Sequence, residues 1–338
     1  MAKKKKVKSK PVEYDDNEFT NHARSILSRY NQLLSETYID IPFLDEPFIT
    51  RTNKYNEIQK IPINQQNKFV RRIFSRRKWD KNGRFYGGWW QQIPSHLRRQ
   101  IAINNLPTVE VDYKGLHASI LAAEHGQYNK TGDIYSLGDQ VFEHFDLKKQ
   151  RQLVKFLVLT AINAKDKGSA FSAFRSGCPT GTPEKSLKNL QLEQLLTAFI
   201  NKHPYLEENL CNDEGIRLMF LDSQITSIII ETFTDMKKPI LSIHDSYIVQ
   251  TTDTDLLREI MKKASLSVVG VDLSADQQVP GYGDITRMRT TDRDVYIDYI
   301  YSTLRLEGKT TQYEERLAAF TNYRNKHHKN NTYWLSHY

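Results

Sequence analysis

Three groups of side chains in this 338-residue chain have types and spacings that can do chemistry. Asp112 ends the run Thr108-Val109-Glu110-Val111-Asp112, whose alternation predicts a strand with Val109 and Val111 on one face. A carboxylate at the end of a rigid strand projects into whatever cleft lies there. His244-Asp245 separates two apolar runs, Pro239–Ile243 and Ser246–Gln250, and reads as the two-residue tip of a buried hairpin, although His-Asp is not the usual turn pair. Arg151, Lys155, Leu159 and Asn163, spaced by four, form one helical stripe, and Leu153, Phe156, Leu157, Val158 and Ile162 fill the other faces. Two cations on a mostly buried helix need an anion, and a triphosphate has the length for donors one turn apart. Each group has a plainer reading: a turn or cap aspartate at 112, an ordinary turn aspartate at 245, and cations at 151 and 155 that snorkel or pair locally. Together, two separated carboxylates and a cationic helix predict metal-assisted phosphoryl transfer, with two divalent ions roughly 4 Å apart bridged by the aspartates and substrate phosphates.

The elements that must position these groups are legible in outline. Apolar positions from Asn17 to Leu34 recur at helical spacing, residues 36–66 look irregular, and Gly83, Gly87, Gly88 and Pro94 punctuate a loop-rich stretch. The strand ending at Asp112 turns at Gly115 into a helix over 117–124. A further helix covers 148–164, broken after Lys167 by Gly168, and 176–187 is a loop. Helices near 188–203 and 214–233, the hairpin, a helix near 254–265, a strand over 266–272 and a polar, largely helical tail from 292 to 338 complete the order. Such an order implies an α+β fold whose sheet is assembled from distant segments.

Composition narrows the class. The chain is 39% hydrophobic and 11% aromatic, enough to bury a core, and no apolar run approaches the roughly 20 residues that span a bilayer, so no membrane partner is expected. Two cysteines, Cys178 and Cys211, make neither a metal spacing nor a disulfide framework. The first ten residues hold six lysines with no apolar stretch behind them, so a basic disordered tail over 1–15 and an intracellular, cytoplasmic location are expected, the tail serving as a nucleic-acid arm or a localisation signal. Net charge is +8, and residues 66–104 carry ten Lys/Arg against the single acid Asp80. Phe69, Phe74, Trp79, Phe85, Tyr86, Trp89 and Trp90 interleave with those cations, the combination of stacking and phosphate contact that grips single strands. Arg71, Arg72, Arg76 and Arg77 are the expected nucleic-acid contacts of that stretch.

These residues carry a resemblance to family A nucleic-acid polymerases, the group joining the DNA polymerase I class and the single-subunit phage-type RNA polymerases. TVEVDYKGLHASILA resembles motif A, which implies Asp112 as a metal ligand with Tyr113 beside it at the metal and the nucleotide, and His117 where DNA enzymes carry a glutamate beside the sugar. RQLVKFLVLTAINA resembles motif B and implies Arg151 and Lys155 as the triphosphate-binding pair, with Leu159 and Asn163 further along the nucleotide site. ILSIHDSYIV resembles motif C, which implies His244 at the primer terminus and Asp245 as the second metal ligand. GDIYSLGDQVF resembles the segment preceding the fingers helix. SQITSII implies Gln224 near the template-primer, and NGRFYGGW implies Arg84 near nucleic acid. The match covers roughly residues 80–250. It departs at Asn163-Ala164, where the family has an aromatic followed by glycine, and at Ser246, where DNA enzymes carry an acid.

What the resemblance implies is a polymerase-like palm sheet with helical fingers and helical N- and C-terminal regions. It divides the chain into a helical and irregular basic region over 16–106, palm over 107–145 and 214–290, fingers over 146–213 and a C-terminal helical region over 291–338. The implied cofactor is Mg²⁺, two ions, with Mn²⁺ able to substitute. The implied partners are template and primer, nucleoside triphosphates and replication proteins. Asp112-Tyr113 and GDIY favour DNA synthesis from dNTPs, RNA synthesis or priming is the close alternative, and a non-catalytic replication protein on a decayed polymerase core is the rival from another class.

Overall fold

A computed structural model describes residues 12–52, 57–289, 292–294 and 308–327. Helix α1 (Glu18–Glu36) starts where Asn17 caps it, the Asn17 side chain accepting from the Thr20 amide, and buries Ile26, Tyr30, Leu33 and Leu34 as their spacing predicts. Short strand β1 (Ile39–Asp40) follows. Two antiparallel hairpins come next, β2 (Phe48–Thr52) with β3 (Ile58–Pro62), and β4 (Val70–Ser75) with β5 (Lys78–Gly87). The expectation of a helical and irregular region over 16–106 therefore holds for α1, a short helix near 95–98 and the connecting segments, and strands replace much of the rest. Their turns escape notice because the β4–β5 connection places Arg76 and Arg77 at φ 56° and 55°, a conformation usually signalled by glycine or asparagine.

After a short helix α2 (Ser95–Arg98) the main sheet begins, with β6 (Ala102–Ile103) and β7 (Leu106–Tyr113). Helix α3 (Leu116–Glu124) follows a left-handed Gly115, and α4 (Leu147–Asn163) is capped by Asp146. Gly168 does not break a helix. Ala164 is extended and ends α4, then Asp166 accepts from the Ser169 amide and starts α5 (Lys167–Gly177) with Gly168 inside its first turn. Helices α6 (Asn189–Lys202) and α7 (Gly215–Asp235) lead to the hairpin β8 (Leu241–Ile243) and β9 (Ser246–Gln250). Its tip is His244-Asp245, as expected, with His244 at φ 53°.

Helix α8 (Thr254–Val269) runs through most of the stretch expected to be a strand over 266–272, and the left-handed Gly270 ends it. Leu257, Met261 and Ala264 on one face of α8 are buried, and that packing outweighs the β preference of Val268 and Val269. The strand comes later, as β10 (Ala275–Gln277), before a short helix α9 (Tyr282–Arg287). Sheet order is β1-β6-β7-β9-β8 with β10 pairing β7, so β7 is central and its partners come from far along the chain. Val109, Val111 and Tyr113 alternate inward with Tyr247 and Val249 of β9, all buried.

The C-terminal helix Thr311–His327 agrees with the expected helical tail, while 290–291, 295–307 and 328–338 lie outside the described residues, as do 1–11 of the basic tail. Residues 12–15 are described, and there Tyr14 packs edge-on to Trp79 at 4.7 Å. No helix among the described residues is long and apolar enough to cross a membrane.

Gly87 joins β5 to the buried pair Trp89 and Trp90. Its φ is 127°, and an added Cβ would sit 2.2 Å from the Phe69 carbonyl oxygen. Gly87→Ala is expected to cost about 2–3 kcal/mol from strain of this kind, and a chemical-denaturation stability within about 0.5 kcal/mol of the wild type, the ordinary surface range, would refute it.

Candidate active site

The β7–β9 register sets Asp112 opposite Ser246, one residue past Asp245, and the Tyr113 amide donates to the Asp245 carbonyl at 3.2 Å. Two carboxylates from segments more than a hundred residues apart thus meet at one end of the sheet. Neither makes an ion pair among the described residues. The Asp112 carboxyl opens onto solvent at the cleft floor, yet burial by the surrounding chain, then the charge of Asp245, push it up to about 7, while Lys155 opposes that rise. The neighbouring acids differ. Glu110 takes two hydrogen bonds from Arg98, at 2.9 and 2.8 Å, and one from the Ser246 hydroxyl at 2.7 Å. Asp276 of β10 sits opposite Asp112 across the sheet and lies 3.9 Å from Lys114.

A cleft of about 590 Å³ opens from Asp112 and is lined by Gly115, Tyr135, Arg151 and Lys155 among others. Lys155 is exposed and makes no ion pair among the described residues, its ammonium 6.0 Å from the Tyr135 ring centre. Arg151 is exposed as well and pairs with Asp133, from the loop between α3 and α4, so its charge has a partner within the chain. Leu159 and Asn163 part company with the two cations. They line a separate open pocket of about 640 Å³ with Arg76, Ser169 and Asp213, because α5 and the start of α7 flank that end of α4. The Tyr135 hydroxyl is buried against Gly115 with no hydrogen-bond partner, which makes it an unsatisfied group beside the cleft.

The other predicted residues divide. Tyr113 sends its hydroxyl away from the cleft to donate to the Met261 carbonyl at 2.6 Å, so its side chain is not a metal ligand and only its backbone adjoins Asp112. His117 is 7% exposed and accepts at Nε2 from Arg84 at 3.0 Å, and Arg84 also bonds the fully buried Asp222 of α7. Burial, then Arg84, hold the His117 ring neutral, down to about 3. His244 lies at the hairpin tip with the Tyr86 ring 5.6 Å away. Gln224 is half-buried on α7 and makes no side-chain hydrogen bond among the described residues.

In the basic stretch, Arg72 is contradicted as a nucleic-acid contact. Strand alternation turns it inward, where it donates to the Gly83 carbonyl at 2.9 Å and lies over the Phe85 ring, and burial lowers it to about 10. Arg76 pairs with Asp213. Arg71 and Arg77 stay exposed and free of ion pairs among the described residues. Sequence reasoning missed Asp133, Tyr135, Asp222 and Asp276. The first two lie inside the segment GDIYSLG, but nothing in their spacing pointed to Arg151, and the others carry no local signal.

Among the described residues no three His, Cys, Asp or Glu side chains are grouped to hold a metal ion. Asp112 and Asp245 offer two hard oxygen ligands, which fits Mg²⁺ or Mn²⁺ completed by substrate phosphates and water rather than an all-protein cage.

No protein-family model and no curated protein matches the chain. Among solved structures it is similar to the POL domain of Pol1 from M. smegmatis in complex with DNA primer-template and dNTP, at a TM-score of 0.38 and 10% identity, over 58% of this chain and 45% of that one.

The folded chain keeps a proton on Asp112 up to about pH 7, whereas the unfolded chain releases it near the ordinary value of 3.8. Its contribution to metal-free stability is therefore full below that ordinary value and is lost as pH rises through about 7. Asp112→Asn is expected to gain in Tm relative to the wild type, in EDTA, as pH is raised from about 5 to about 8. A difference that stays flat over that range would contradict the raised carboxyl.

Proposed function

We propose that the protein is a template-directed nucleotidyltransferase that extends a nucleic-acid strand from nucleoside triphosphates. The observation that carries this reading is Asp112 at the mouth of a cleft whose wall presents Lys155, Arg151 and the Tyr135 hydroxyl, with Asp245 beside it across the β7–β9 pair and neither carboxylate in an ion pair among the described residues. Asp112 and Asp245 would hold two Mg²⁺ ions, or Mn²⁺ in their place, which supply charge neutralisation at both the attacking and the leaving oxygen. Lys155 supplies a point charge to the triphosphate, and Arg151 adds a second once phosphate displaces it from Asp133. Gly115, left-handed at the start of α3, lets the Tyr135 ring pack close beside Asp112. His244 and Arg84 lie on the hairpin side, away from the cations, where the strand being extended would end. DNA synthesis is the favoured form, on Asp112-Tyr113 and the GDIY segment, with RNA synthesis or priming as the alternative within the class. Template, primer and triphosphates are the partners this requires.

A second reading, a non-catalytic binding platform, draws support from the engagement of Arg151 by Asp133. Extension of a labelled primer on a DNA template with Mg²⁺, using dNTPs and NTPs separately, decides between them. Templated products are expected that disappear in Asp245→Ala, while Lys155→Ala loses roughly 10²- to 10³-fold in rate, the scale for one electrostatic donor. No product with any nucleotide, from a protein that still binds single strands, would leave the platform.

Nucleic-acid binding itself separates the arginines. Arg71→Ala and Arg77→Ala should each lower the slope of log affinity against log salt by about one. Arg72→Ala should leave that slope unchanged and lower Tm instead. A reduced slope for Arg72→Ala would refute its structural role.

A further inference from the structure

Asp222 is a carboxylate for which the reaction just described has no use. It is 0% exposed, in the middle of α7, and a buried carboxylate persists only beside a cation or a proton. Its partner is Arg84, which bonds it through Nε and reaches His117 Nε2 through Nη2 at 3.0 Å. Because a guanidinium only donates, His117 must accept there and carry its proton on Nδ1. Arg84 is thus anchored twice, by α7 and by α3, while its Nη1 has no partner among the described residues and the side chain keeps 13% exposure.

This doubly held cation sits beside the carboxylate pair. The Thr226 hydroxyl, one turn along α7, bonds the Tyr247 hydroxyl at 2.8 Å and lies 3.5 Å from an Asp222 oxygen and 3.4 Å from the His244 carbonyl, which places Asp222 near the turn bearing Asp245. Tyr86 shares a strand face with Arg84, and its ring is 5.6 Å from His244. Asp245 is also close enough to push the Asp222 carboxyl upward, second to burial and against the pull of Arg84. A long guanidinium freed at this position would lie in the field of Asp245, which has no ion pair among the described residues, and an ion pair there would occupy the oxygens a divalent ion needs.

We propose that Asp222 is a positioning residue that holds Arg84 away from Asp245, leaving the Asp245 carboxylate open to a divalent cation. The inference rests on the reading of Asp112 and Asp245 as cation ligands. It assigns Asp222 no contact with the metal or the substrate; the residue acts through Arg84.

A double-mutant cycle on the full chain tests it, with Mn²⁺ alone as the probe and free Mn²⁺ read by electron paramagnetic resonance. Asp222→Asn should weaken Mn²⁺ binding by about fivefold or more, the scale of one misplaced charge at a few ångströms. Asp222→Glu should stay within about twofold of wild type, and the double variant Asp222→Asn/Arg84→Gln should stay within about twofold of Arg84→Gln, since additivity fails only for coupled sites. Circular dichroism and Tm confirm folding for each. If Asp222→Asn does not fold, His117→Phe, which removes only the second anchor, should weaken binding in the same direction by about threefold or more, and a change within about twofold would overturn the inference. Unchanged affinity in the folded Asp222→Asn variant overturns the inference. So does equal weakening with and without Arg84, which would mean that Asp222 acts by its own charge. No Mn²⁺ binding by the wild type would instead overturn the metal reading itself, and this inference with it.

Discussion

Pairing β7 with β9 brings Asp112 and Asp245 to one end of a sheet whose other face is apolar, and the chain packed around them has to carry the repulsion between two like charges. Three of the surrounding acids are matched by a cation: Glu110 by Arg98, Asp222 by Arg84 and Asp133 by Arg151. Glu110 and Asp276 still push the Asp112 carboxyl upward, and Asp112 and Asp245 make no ion pair among the described residues. Under the proposed function, a divalent cation held between β7 and the hairpin tip would relieve that repulsion.

The same pairing explains why the basic stretch is less basic in space than in sequence. Lys68 donates to the carbonyls of Ser35 and Thr37, Arg72 to Gly83, and Arg76, Arg84 and Arg98 each meet an acid. Half of the ten cations over 66–104 thus hold the fold together, and Arg71, Arg77, Lys78, Lys81 and Arg99 remain for a polyanion. The positive surface these residues offer is narrower than the count of charges implies.

Local signals were enough for the parts of the site that one element decides. Alternation gave β7 and its terminal Asp112, a two-residue gap between apolar runs gave the hairpin tip at His244-Asp245, and a spacing of four gave the Lys155 face of α4. What could not be read depends on distant segments meeting. The pairing of Arg151 with Asp133 needs the loop before α4 to fold back on it, and Asp222 looks like any polar residue in a helix until β5 brings Arg84 against it. Strands β4 and β5 were hidden for another reason: Arg76 and Arg77 take left-handed positions at their turn without a glycine to announce it. At α8 the error ran the other way, since β-branched residues at its end stay helical because the face they continue is packed.

The C-terminal helix reaches back across the whole chain. Arg316 bonds Asp40, 276 residues earlier, its guanidinium passes on to the Asp45 and Leu44 carbonyls, and Tyr313 packs on Tyr38 at 5.7 Å. Asp40 is 1% exposed, so until that arginine arrives its charge is buried without a counter-ion. In the order of synthesis, Asp40 precedes by 276 residues the arginine that completes its surroundings. High contact order of this kind slows folding, and it makes the arrival of Arg316, rather than the emergence of any earlier element, the event that lets the segment around Asp40 settle.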